Sequence, residues 1–145
     1  MWYETVVPAM LNLSRAYVLT GDKRYSHKAA VMLYRLAEVY PSMDYTNQSR
    51  YGLMMKSRGA SYPGKVLNRI WETSFAENFA EDYDSIWDTL NDDIALQKLY
   101  RKNGKQIRSF IEANLLEDAI DAYFKDQIHG NFGMHQNALL HILLA

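Results

Sequence analysis

VVPAMLNLSRAYVLTGDKRYSHKAAVMLYRLAEVYP, residues 6–41, decides the fold. Val6, Met10, Leu13 and Tyr17 step by four, three and four positions, which is the period of one helix face. Thr20-Gly21-Asp22 then supplies a stop and a restart. Gly21 can take the left-handed conformation that ends a helix, and Asp22 is a good N-cap for the next. Tyr25, Ala29, Met32, Leu36 and Tyr40 form the inward face of that second helix, and Pro41 ends it. Segments 4–19 and 22–40 therefore read as an antiparallel helical hairpin with a very short turn.

Working outward, residues 41–65 (PSMDYTNQSRYGLMMKSRGASYPGK) show no sustained period. A loop this long is commonly functional, and its Tyr45, Arg50, Tyr51, Arg58 and Tyr62 could reach a ligand. A solvated crossover is the equal alternative. Periodicity returns at Val66. Trp71, Phe75, Phe79, Tyr83, Ile86 and Leu90 make one long stripe, closed by Asn91-Asp92-Asp93 as a break and cap. A helix over 93–102 ends at Asn103-Gly104, and another over 105–125 turns Ile107, Ile111, Leu115, Ala119 and Ala122 inward. After the turn His129–Gly133, Asn137–Ala145 reads as the start of a further helix. No segment reads as a strand. The fold class is all-α, built of stacked antiparallel hairpins.

Composition bounds the function. The chain has 145 residues, with 16 Lys plus Arg against 17 Asp plus Glu, a formal net charge of −1. That balance lacks the basic field of a nucleic-acid binder, so no nucleic-acid partner is expected. An apolar content of 48% is enough for a core, and no apolar run is long enough for a membrane span. Cysteine is absent, which excludes disulfides, thiol catalysis and Cys-based zinc sites. Tyr outnumbers Phe and Trp together, 11 against 5 and 3, which suits helix seams and also polar-lined clefts.

Few motifs carry chemistry. His129, His135 and His141 are spaced six and six rather than at the i, i+4 of a helical metal pair. No metal and no cofactor is expected, and no phosphate-cradling Gly-rich loop is present. Glu72, Glu77, Glu81, Asp82, Asp84 and Asp88 read as a mostly solvated face opposite the stripe, with Glu72 kept as a candidate because it follows Trp71 directly after the loop. In Gly130-Asn131-Phe132-Gly133-Met134-His135-Gln136, a helix starting near Asn131 sets Asn131 and His135 one turn apart. An amide and an imidazole converging there can hold an anion and move a proton. Asn131 as a plain N-cap, with His135 half-buried, is the structural alternative.

Three segments carry a family resemblance: residues 13–45 (LSRAYVLTGDKRYSHKAAVMLYRLAEVYPSMDY), 64–84 (GKVLNRIWETSFAENFAEDYD) and 130–140 (GNFGMHQNALL). In this order the chain resembles the heparinase II/III-like polysaccharide lyases over nearly its whole length. The resemblance implies part of an incomplete (α/α) toroid spanning 1–145, with the rest of the toroid and a β-sandwich domain outside this chain. It implies β-elimination on a uronic-acid polysaccharide, alginate-like or glycosaminoglycan-like. Asn131 would neutralise the uronate carboxylate, and His135 would be the base or a second neutraliser. Gln136, Trp71, Glu72, Arg69 and Arg50 would bind substrate. The general-acid Tyr of the family would lie beyond Ala145, so the chain alone is expected to be inactive. The resemblance implies a periplasmic or secreted location, and exposed apolar ends of a partial ring imply self-association. Two other readings compete: a non-catalytic helical module binding a glycan or a protein, and a glycoside hydrolase using Glu72.

Overall fold

The turn at Thr20-Gly21-Asp22 forms as its chemistry requires. In the computed structural model, which describes residues 2–44, 64–66 and 70–145, Gly21 has φ 67° and its N–H donates to the Tyr17 carbonyl at 2.7 Å. Asp22 Oδ1 accepts the Arg24 N–H at 2.9 Å. These caps join α1 (Val7–Thr20) to α2 (Lys23–Val39). A wide π turn over Trp2–Val6 precedes α1, and Pro41 turns the end of α2 into a 3₁₀ turn, Tyr40–Ser42. Most of the loop read over 41–65, residues 45–63, lies outside the described residues.

α3 (Ile70–Ile86) runs through a 3₁₀ turn, Trp87–Thr89, to α4 (Ile94–Tyr100). Asp93 caps α4, its Oδ1 accepting the Leu96 N–H at 2.8 Å. The stop expected at Asn103-Gly104 is displaced. Arg101, at φ 53°, takes the left-handed position that closes α4. Asn103 instead opens α5 (Gly104–Ile111), because its side chain and that of Gln106 each accept the other's N–H at 2.9 Å, a reciprocal cap. α5 continues through a π turn, Glu112–Leu116, into α6 (Glu117–Phe124). At that widening the Asn114 amide donates to the Phe110 carbonyl at 2.9 Å, so a side chain stands in for backbone in the ladder. α7 (Met134–Leu144) begins at Met134, three residues after the Asn131 start considered for the active segment.

Side-chain pairs give the directions of the helices. Ser14 meets Asp82 and Tyr17 meets Asp88, so α1 and α3 run parallel. Glu77 meets Asn137, and Asp84 shares a cleft with Leu144, so α7 runs parallel to α3. Tyr34 stacks on Phe110 while Lys65 joins Tyr40 to Asp118, and Tyr83 bonds Glu112 while Glu72 faces Tyr123, so α5–α6 runs with α2 and against α3. The result is two rows, α1, α3 and α7 in one and α2 with α5–α6 in the other, antiparallel between rows. Stacked hairpins, as the periodicity predicts, give this arrangement, and the described residues contain no strand. None of the described helices is long and apolar enough to cross a membrane.

The core lies between the rows. Phe75, Phe79, Tyr83, Ile86 and Leu90 of the predicted stripe are buried, as are all five residues assigned inward on the 105–125 helix. The stripe departs from prediction at one end, where Trp71 is 53% exposed. α2 buries a wider face than its period suggests, adding Leu33, Tyr34 and Ala37, because it packs on both α1 and α5. Three Leu of α7, at 140, 143 and 144, remain exposed.

The acidic residues of α3 do not form one solvated face. Asp84 and Asp88 are exposed, but Glu72 and Asp82 are buried. The physical reason is position: α3 sits between α1 and α7 in its own row and under the second row, so little of its circumference meets water. Asp82 Oδ1 accepts the Ser14 hydroxyl at 2.5 Å, and its Oδ2 has no partner among the described residues. Burial pushes this carboxyl up to about 7, reinforced by Glu81 and opposed by the Ser14 bond and Arg15.

The sign follows from proton count. Between about pH 4 and pH 7 the folded chain holds a proton that the unfolded chain has released, so stability falls as pH rises through that window. Asp82→Asn should remove this slope, leaving stability at low pH nearly unchanged and gaining up to ~4 kcal/mol at pH 8. Urea denaturation of both proteins across that range measures it.

Candidate functional site

The segment Gly130–Gln136 is fixed from both sides. A Cβ on Gly130 would lie 2.5 Å from Thr73 Cγ2, so a larger residue would have to push Thr73 aside on the first turn of α3. Gly133, at φ 91°, then turns the chain into α7. The Gln136 side chain accepts the Gly133 N–H at 2.7 Å, and the His135 N–H donates to the Asn131 carbonyl at 3.1 Å. Asn131 and His135 are thus one turn apart, as the spacing suggests. Asn131 nevertheless sits in the entry turn, and it is not the helix cap.

Asn131 and Gln136 are exposed, and Phe132 between them is almost fully so. His135 is half-buried. Its ring packs edge to face on Tyr123, with centroids 4.7 Å apart, and tilts against His129 at 5.4 Å. Burial and the neighbouring His129 lower the His135 pKa below the usual imidazole value, with Asp126 opposing. At neutral pH this ring is therefore the neutral form, able to accept a proton. His129 Nδ1 pairs with Asp126 Oδ1 at 2.9 Å. Tyr123 is buried, its hydroxyl without a partner among the described residues, and burial followed by the charges of Glu72 and Glu77 raises its pKa.

Glu72 lies beneath this surface, fully buried. Its Oε2 accepts the Val66 N–H at 2.9 Å and the Lys65 N–H at 3.3 Å, and Oε1 faces the Tyr40 hydroxyl at 3.5 Å. Among the described residues Glu72 is therefore a buried acceptor of backbone N–H groups, where the sequence reading expected a group open to substrate. Lys65 Nζ pairs with Asp118 and lies 4.3 Å from the Tyr40 ring centre. Trp71, next to Glu72, presents half its surface to water. Arg50 and Arg69 lie outside the described residues. Among the described residues no three His, Asp or Glu side chains gather as a metal site would need.

The sequence missed Tyr123 and the His129–Asp126 pair. Asp126 and His129 share an i, i+3 spacing, a weak signal available in the chain. Tyr123 reaches His135 only because α6 folds back on α7, and no local pattern announces it.

Removing His129 should relax its neighbour. His129→Asn is expected to raise the His135 midpoint toward the ordinary value near ~6.5, read by NMR titration of the imidazole protons. A midpoint unchanged or lowered would show that His129 does not act on the ring. No known protein family, curated protein or solved structure matches the chain.

Proposed function

We propose that the chain carries the neutralising and proton-abstracting half of a β-elimination site for uronic-acid-containing polysaccharide. One observation carries the reading: an exposed amide, Asn131, stands one helical turn from His135, a half-buried imidazole with a lowered pKa. Abstraction of a proton beside a carboxylate needs both parts. A donor must take up charge on the carboxylate as the enolate develops, and a neutral base must be present at working pH. Half-exposed Trp71 offers a flat face for a sugar ring.

In this reading the chain completes no turnover: it supplies reversible proton abstraction, and protonation of the departing oxygen is assigned to no residue of this chain. Titration with alginate and heparin hexasaccharides should give saturable NMR shifts centred on Asn131 and His135. In deuterated water the bound uronate should lose its C5 proton signal, without release of an unsaturated product absorbing at the ultraviolet edge. His135→Ala should abolish the exchange, and Asn131→Ala should slow it by about 10²-fold. No saturable binding to either polymer by the folded protein would overturn the proposal. Saturable binding without exchange would favour a glycan-binding module instead.

A further inference from the structure

A second cleft lies at the opposite end of the bundle. α2 carries Tyr40 to Glu72 at one end. At its other end, about 25 Å away along 17 residues of helix, the first turns of α2 and the Thr89–Ala95 connection border an open cleft of about 640 Å³. That volume falls within the ~300–1,000 Å³ typical of small-molecule sites.

His27 lines this cleft. Its Nδ1 meets Asp93 Oδ2 at 2.8 Å, while Asp93 Oδ1 is held by the Leu96 N–H at 2.8 Å. With both oxygens engaged the carboxylate cannot turn, so it fixes the ring and keeps the proton on Nδ1. A tie between α2 and α4 accounts for Nδ1 alone. Nε2 makes no hydrogen bond among the described residues, although the side chain is 35% exposed. Lys23, one turn before His27 on the same face, also lines the cleft, as does Lys28. Neither ammonium has an ion-pair partner among the described residues, whereas Arg24 is neutralised by Asp22 at 2.6 Å. Asp92 is the opposing charge on the facing rim, and Tyr25 and Ile94 supply apolar wall.

We propose that this cleft binds a small organic oxyanion, a phosphate or carboxylate borne on an apolar ring. With His27 protonated and its charge offset by Asp93, the two ammonium groups outweigh Asp92 by one positive charge. The oxyanion takes Nε2–H and the ammonium groups, and the ring lies on Ile94 and Tyr25. The imidazolium form is the one that binds, because only it carries a donor at Nε2 while Nδ1–H stays on Asp93. This site is independent of Asn131 and His135.

Phenyl phosphate, inorganic phosphate and benzyl alcohol are the probes, read by the His27 ring signals in NMR titrations at pH 6. Phenyl phosphate should give saturable shifts and bind more tightly than either other probe. Lys23→Ala/Lys28→Ala, which removes two exposed side chains without a hydrogen bond or ion pair among the described residues, should weaken it about tenfold. His27→Ala should abolish binding, read from the phosphorus signal of phenyl phosphate, with circular dichroism checking that the helical content is kept. Shifts that grow linearly with concentration, affinity unchanged in the double lysine variant, or equal affinity for benzyl alcohol would each overturn the assignment.

Discussion

The buried carboxylate of Glu72 is the constraint on which the site end of the molecule depends. A charge withdrawn from water is tolerated only where donors surround it. Here the Lys65 and Val66 N–H groups and the Tyr40 hydroxyl supply them. Satisfying that one group draws together the end of α2, the strand of chain entering α3 and α3 itself. Lys65, held in place by its own backbone bond, then reaches Asp118 and brings in α6. Thr73 follows Glu72 directly, and Gly130 closes on it. Gly130 lies between Thr73 and the His135 backbone, so the segment that carries His135 packs on the turn of α3 that holds Glu72.

The same logic divides the molecule by polarity. In the middle of α3 the contacts are aromatic and aliphatic, with Phe75 and Phe79 set edge to face at 5.5 Å. At each end the helices finish in polar groups that need partners. At one end those partners are Glu72, Lys65 and Asp118. At the other they are the capping residues Asp22 and Asp93, the second of which also orients His27. Helix ends carry unsatisfied backbone groups, so a two-row stack concentrates its polar side chains there by necessity. Both candidate sites occupy these ends.

Much of the helical content was legible because capping and periodicity are local. Gly21, Asp22 and Asp93 act where residue type and spacing put them. The stripe Phe75–Leu90 and the inward set Ile107–Ala122 are buried as their period demands. The misreadings have specific causes. Asn103-Gly104 suits a helix end or a helix start equally well, and the reciprocal bond with Gln106 decided for a start. Asp82 looks like any acidic residue on an amphipathic helix. It is buried because Ser14, 68 positions earlier, faces it from a neighbouring helix. Glu72 is buried and Trp71 half exposed because the order of the two along α3 does not say which side the neighbouring helices cover.

By itself the sequence determined that the chain is helical, where most helices start and stop, and that Asn131 and His135 lie one turn apart. Those properties depend on hydrogen bonds and side-chain periods spanning four residues or fewer. Only the tertiary structure decided which carboxylates are buried, that Tyr123 flanks His135, and that His27 and Asp93 share a cleft. A period fixes the face a side chain takes relative to its own helix axis. What that face meets depends on how the two rows align, and on contacts between distant residues such as Tyr34 and Phe110, 76 positions apart.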